Sequence, residues 1–177
     1  MADKSTYING FYAITEILFE ELKKNKYVNT VTMGDLFDVD LNKQTIFPLA
    51  HIIVTNATLT GNHWVFEFDL LCMDWVEETK NFYDEQADST DKLAPPIITD
   101  EMVFEGLDNT QNVLAEQLIV INRVIEMFRR GDYIKQGTLF ELLGDPSCQP
   151  FMDRFENKLA GWVCSFSIQT PNNMTIC

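Results

Sequence analysis

Residues 46–74, IFPLAHIIVTNATLTGNHWVFEFDLLCMD, constrain the chain more than any other stretch: two runs rich in β-branched and aromatic residues flank Gly61 and Asn62. A glycine–polar pair between such runs favours a two-residue hairpin turn, and a turn of fixed length sets the register of the strands it joins. The predicted register places Leu59 opposite Trp64, Ala57 opposite Phe66, Thr55 opposite Phe68, Ile53 opposite Leu70 and His51 opposite Cys72, all on one face. The other face pairs Thr58 with Val65, Asn56 with Glu67 and Val54 with Asp69. It is therefore polar except at the end where Ile52 meets Leu71. A slip by one residue would scramble this separation of faces. Pro48 stands at the start of the first strand, where its missing N–H is tolerated.

The flanking sequence predicts what packs on this hairpin. Tyr7, Phe11, Ile14, Leu18 and Leu22 recur at helical spacing, with Glu16, Glu20, Glu21, Lys23 and Lys24 between them, so an amphipathic helix is expected over about residues 6–24. In VTMGDLFDVDL, Phe37, Val39 and Leu41 alternate with Asp38 and Asp40, the pattern of a strand with one solvated face. Asp108 and Gln111 resemble a capping box opening a second helix. That helix carries Leu114, Leu118, Ile121, Ile125 and Phe128 on one side, and Val113, Val120, Val124 and Met127 as a second apolar stripe. A helix apolar on two sides is expected between layers or at an interface. It ends at Arg129-Arg130-Gly131, basic residues at the negative end of the helix dipole followed by a glycine stop. Near the C-terminus Trp162, Cys164, Phe166 and Ile168 alternate with Val163, Ser165, Ser167 and Gln169, which predicts a half-buried strand. The order helix, strand, hairpin, helix, strand indicates an α+β fold, a mainly antiparallel sheet with a long hairpin and helices packed on one face.

At 177 residues the chain is expected to be a single domain, 1–177, able to bury a core without staples. It holds 27 acidic against 13 basic residues, a net charge of −14, which opposes sequence-specific binding to nucleic-acid phosphates. Nine acids and two lysines fall within residues 77–105, around Pro95-Pro96. A loop or insertion of that length is usually functional or disordered. Trp75, Phe82, Tyr83, Met102 and Phe104 give it apolar anchors, which makes these five residues the candidate subunit contacts. The polar N-terminus has no apolar signal core, and no stretch is apolar enough to cross a membrane, so folding in a cytosol is expected. Sequons at Asn56 and Asn173 then read as chance matches. Cys72, Cys148, Cys164 and Cys177 are widely spaced without a CxxC, which indicates free, mostly buried thiols.

Catalytic arrangements find little support. A nucleophilic hydrolase needs a histidine beside Ser or Cys, and the only histidines, His51 and His63, fall near opposite ends of the hairpin. At about 3.3 Å per residue they stand on the order of 30 Å apart. His51 opposite Cys72 offers two metal ligands where structural sites usually show four, so it reads as a core histidine. Asp38 and Asp40, about 7 Å apart along one strand face, together with Asp35, lack the ligand number and glycine turn of a calcium loop. Arg130-Gly131-Asp132 matches an integrin-recognition string but coincides with a helix end. The tryptophans have no basic groove around them and read as core or protein interface. No catalytic, cofactor or metal residue is assigned, and the chain is expected not to be an enzyme.

GDLFDVDLNKQTIFPLAHIIV, the hairpin ending FEFDLLCMD, the helix DNTQNVLAEQLIVINRVI and the closing LAGWVCSFSIQTPNNMTIC together resemble small neck and tail-terminator-type ring proteins of tailed bacteriophages, including those of crAss-like and related Bacteroidetes phages. The resemblance spans most of the chain in order and texture and includes no diagnostic motif; residues 77–105 lie outside it. It implies a non-enzymatic virion subunit, assembled in the bacterial host cytoplasm into a six- or twelve-fold ring of the head-to-tail connector. The implied partners are portal, adaptor or tail proteins of the same virion, with DNA passing through the ring and no membrane contact. The alternative is an acidic intracellular adaptor or small-ligand binding domain without catalysis.

Overall fold

A computed structural model of the chain describes residues 9–41, 43–76, 109–130, 134–135, 138–154 and 158–172. The acidic segment 77–105 lies outside them, as do Tyr7 and Asp108. The expected turn forms at Gly61, whose φ of +61° suits a residue without Cβ. From it β2 (Leu49–Thr60) and β3 (His63–Trp75) run antiparallel. The pairs nearest the turn, Leu59–Trp64, Ala57–Phe66, Thr58–Val65 and Asn56–Glu67, are those expected from the turn length. Beyond them the register shifts between Val54 and Asn56, leaving Thr55 as an extra residue in a β-bulge.

This bulge overturns the expected pairing for the inner half of the hairpin. Val54 faces Phe68, Ile53 faces Asp69, Ile52 faces Leu70, His51 faces Leu71 and Ala50 faces Cys72. The expected pairs Thr55–Phe68, Ile53–Leu70, His51–Cys72, Val54–Asp69 and Ile52–Leu71 do not form. The physical reason lies in parity: one inserted residue sends every side chain beyond it to the opposite face. Ala50, Ile52 and Val54 thereby join Phe66, Phe68, Leu70 and Cys72 in the main core, and His51 leaves it.

Among the described residues the sheet has five strands in the order β1-β2-β3-β7-β6, completed by β1 (Thr30–Met33), β6 (Glu141–Arg154) and β7 (Leu159–Pro171). β1 runs parallel to β2, and every other pairing is antiparallel. β4 (Ile134–Lys135) and β5 (Thr138–Leu139) form a separate short ladder. In β7 the expected alternation holds, with Cys164, Phe166 and Ile168 buried and Trp162 packed beside them. β3 and β7 approach closely at Gly161, where an added Cβ would collide with the Cys72 carbonyl oxygen and stand 2.8 Å from Met73 Cα. Only a residue without a side chain fits there.

Among the described residues two helices cover one face of this sheet, α1 (Asn9–Lys23) and α2 (Thr110–Arg129). Ile14, Ile17, Leu18 and Leu22 of α1 are fully buried, while the Phe11 ring lies 5.3 Å from that of Phe66. α2 buries Val113, Gln117, Val120, Ile121, Val124, Ile125 and Phe128. Most of the second predicted stripe thus faces the sheet, and Leu118 of the first is exposed. Asn109 is the N-cap and makes no side-chain cap bond.

On the opposite face, the end apolar on both sides supports a smaller core of Phe47, Leu49, Leu71, Met73, Phe151 and Leu159, covered by Leu36, Val39, Leu41 and Ile46. Those covering residues belong to a connection with two 3-10 turns, Leu36–Asp38 and Gln44–Ile46. The strand expected at Phe37, Val39 and Leu41 is therefore absent. Asp35 caps the first turn by accepting a hydrogen bond from the Phe37 N–H at 3.0 Å, a local closure that competes with strand pairing.

Deleting Thr55 removes only the extra residue: Val54–Phe68 then follows Asn56–Glu67 in an unbroken ladder, Ile52 and Val54 keep their places in the main core, and His51 stays on the opposite face. Urea unfolding should register a loss of less than about 1 kcal/mol for the deletion, against about 2–5 kcal/mol for Ile52→Ala, which truncates a side chain that the observed register places in the main core. A deletion as costly as Ile52→Ala would mean that Thr55 is not the extra residue of the ladder.

Candidate functional site

His51 is fully buried on the sheet face opposite the helices. Its Nε2 lies 3.2 Å from the Gly34 carbonyl oxygen and its Nδ1 lies 2.7 Å from Thr32 Oγ1. A carbonyl only accepts, so Nε2 carries the proton, and Nδ1 of the neutral ring accepts from the Thr32 hydroxyl. Both nitrogens are thus engaged in joining β2 to β1 and to the turn that follows it. Burial pushes the imidazole pKa below its ordinary 6.5, opposed by the Gly34 carbonyl and Asp35, which pull it up. His63 sits in the exposed tip of the hairpin.

The aspartates separate in the same way. Asp35 is engaged in its cap, Asp40 is exposed with Lys43 4.0 Å away, and the Asp38 side chain lies outside what is described. Without a strand at 37–41 the paired-carboxylate spacing does not arise. Among the described residues no group of three or more His, Cys, Asp or Glu side chains is placed to hold a metal ion. Trp75 is half-buried against the Phe47 ring, 6.3 Å between centroids. The other proposed contacts, Phe82, Tyr83, Met102 and Phe104, lie outside the described residues, as do Gly131 and Asp132.

What the fold does bring together is apolar surface at the two edges of the sheet. At the β6 edge, the outer flank of α2 and strand β6 enclose a groove of about 540 Å³ lined by Leu118, Ile119, Ile121, Ile125, Pro146 and Cys148. Leu118 is 39% and Ile119 52% exposed. Arg129 at one end of the groove is shared between Glu126 and Asp145, each 3.8 Å away and exposed, so these pairs add little stability. At the β1 edge Met33 is 49% exposed, and Phe37, in the 3-10 turn that follows β1, is 97% exposed. An aromatic side chain presented almost wholly to solvent is the kind of anchor on which protein interfaces concentrate their energy.

These edges were only partly foreseeable. Two-sided apolarity of α2 signals an interface, whereas Phe37 reads as the inward side of a strand until Gly34-Asp35 is taken as turn punctuation. Gln117 escapes sequence reading altogether. It lies within the buried stripe of α2 with neither amide atom hydrogen-bonded among the described residues. No family model matches the sequence, and comparison with curated proteins gives no match. Among the described residues no helix is long and apolar enough to cross a membrane.

Two stability predictions follow from the buried polar groups. The unfolded chain takes up a proton that the buried His51 resists, so the stabilising contribution of the neutral ring is whole above pH 6.5 and is lost as pH falls below it. Denaturant titrations from pH 7.5 to pH 5 should show a decline that His51→Gln lacks in part; identical pH slopes would remove His51 as its source. An unpartnered buried amide costs about 1–3 kcal/mol, so Gln117→Leu should raise the urea midpoint. A lowered midpoint would mean that the amide has a partner in the folded chain.

Proposed function

We propose that this chain is a non-enzymatic structural subunit of a tailed-phage head-to-tail connector, a neck or tail-terminator protein that closes into a ring around the genome-exit channel. It would assemble in the bacterial host cytoplasm and reside in the virion, with portal, adaptor or tail proteins above and below the ring. The sequence resemblance motivates the reading, and one observation carries it. The sheet order puts β1 and β6 at opposite edges, and exposed large apolar side chains stand on or beside the two edge strands, Met33 of β1 with Phe37 of the turn that follows it, and Leu118 and Ile119 of α2 beside β6.

Two unlike sticky edges suit a head-to-tail contact, in which one edge of a subunit meets the other edge of the next. Such contacts close into rings when the rotation between subunits divides a full turn. A two-fold dimer needs only one self-complementary patch. The net charge of −14 also fits a channel through which DNA passes without being held, within the roughly 10 Å over which salt leaves such repulsion effective. Ring symmetry, whether six- or twelve-fold, is set by the angle between neighbours.

The groove beside α2 favours a second reading, a small-ligand binding domain, since its volume lies in the range of ordinary ligand sites, roughly 300–1,000 Å³. In that case the chain remains monomeric and the β1 edge is immaterial. An acidic adaptor shares the monomeric expectation.

Phe37→Asp disables one edge and Ile119→Asp the other, without touching a buried side chain. Each variant alone should stay monomeric in sedimentation velocity and be missing from purified virions. Mixed together they should form a one-to-one dimer and go no further, because only one good edge remains on each. Self-association of either variant into dimers would indicate a two-fold contact instead. A wild-type chain that neither forms rings nor enters virions sinks the connector reading.

A further inference from the structure

Three thiols widely separated in sequence converge under α2, on the helix-covered face of the sheet. Cys72 lies on β3, Cys164 on β7 and Cys148 on β6, and both Cys72 and Cys164 are fully buried. Cys148 stands directly opposite Cys164 in the β6–β7 ladder, and their sulfurs are 2.9 Å apart. Directly opposed residues of antiparallel strands have Cα atoms about 4.5–5.5 Å apart, inside the roughly 4.4–6.8 Å that a disulfide spans. Cys72 is a diagonal neighbour, since Leu70 is the β3 residue that faces Cys164 and Cys72 faces Trp162. Geometry therefore selects one pair out of the three.

Access distinguishes the two members of that pair. Cys148 is only partly buried and lines the groove between α2 and β6, so a small reagent reaches it without unfolding. Cys164 lies behind it. Two register shifts flank the paired stretch of β6, between Leu143 and Ser147 and between Phe151 and Arg154, so this edge strand is held to β7 by short runs of ladder. A covalent link at Cys148 would fasten it in the middle.

We propose that Cys148 and Cys164 form an oxidisable pair, which a low-molecular-weight disulfide converts into a cross-strand disulfide through the α2–β6 groove. The Cys148 thiol gives up its proton and its thiolate attacks one sulfur of oxidised glutathione; that S–S bond breaks, a glutathione thiolate leaves, and Cys148 is left in a mixed disulfide. The Cys164 thiolate, its proton passed to solvent, then attacks the Cys148 sulfur and expels the second glutathione. Two protein thiols are oxidised to one disulfide and one glutathione disulfide is reduced to two thiols. Burial, with the neighbouring Cys148, pushes the Cys164 thiol well above its ordinary range. The second step is therefore the slow one, and its rate climbs about tenfold per pH unit while the thiol remains mostly protonated.

The test uses the full chain, folded, with oxidised glutathione, acid quenching, alkylation and peptide mapping by mass spectrometry. The expected product is a Cys148–Cys164 cross-link with two thiols lost, formed through a glutathione adduct on Cys148 that lasts longer at pH 6.5 than at pH 8.5. Cys164→Ser should accumulate that adduct without resolving it. Cys72→Ser and Cys177→Ser should each leave the cross-link unchanged, and the oxidised wild type should unfold at higher urea than the reduced protein. A cross-link through Cys72 or Cys177, or an adduct on wild-type Cys148 that never resolves, would overturn the proposal. So would unreacted folded protein under conditions that oxidise the urea-unfolded chain.

Discussion

The bulge at Thr55 is the constraint on which the remainder of the fold depends. A hairpin with a two-residue turn propagates its register from the turn outward, and in this chain that register suits the outer half only. Thr60 to Asn56 pair as the turn dictates, after which Thr55 drops out of the ladder. The inserted residue exchanges the two faces of β2. Ala50, Ile52 and Val54 are delivered to the helices, while His51 is delivered to Thr32 and Gly34. The β2 side chains of the main core, the histidine that anchors β1, and Leu49 of the small second core are all placed by this one irregularity.

Sequence patterns disclose elements well where a single periodicity holds and fail where two readings are equally apolar. The spacing of Ile14, Leu18 and Leu22 has one helical solution, and the alternation of Cys164, Phe166 and Ile168 has one strand solution; both are realised. The run Ile52-Ile53-Val54 satisfies either parity, so nothing in β2 announces the bulge. Phe37-Asp38-Val39-Asp40-Leu41 imitates a strand, but Asp35 closes a turn onto the Phe37 amide and ends the resemblance. The thiol cluster was illegible for a different reason. Cys72, Cys148 and Cys164 meet because β7 inserts between β3 and β6, a fact of topology that no local pattern records.

The same topology separates the surfaces that carry the functional reading. β1 is short and runs parallel to its neighbour, while β6 is long and broken by register shifts, so the two edges differ in direction and in regularity. Gly144, at a φ of +66°, and two prolines, Pro146 and Pro150, interrupt β6. Features of this kind discourage indiscriminate edge-to-edge strand pairing. Side-chain contacts, rather than added backbone hydrogen bonds, are then left to specify what meets this edge. In the connector we propose, that places the weight of recognition on Leu118 and Ile119 of α2, next to the strand.

The flank that α2 turns outward is itself fixed by an indole. Trp162 of β7 donates its Nε1–H to the Leu114 carbonyl oxygen at 2.8 Å, a bond from the sheet to the helix backbone. Neighbouring residues on an α-helix differ by about 100° in azimuth, so a roll of α2 by even one position would withdraw that carbonyl from the indole. The bond behaves as an index pin, holding the rotational phase of a helix whose two apolar stripes would otherwise compete to face the sheet. Which hydrophobic residues the protein shows to its surroundings is thus decided beneath the surface, by a tryptophan that contributes to the core on one side and sets the outward face on the other.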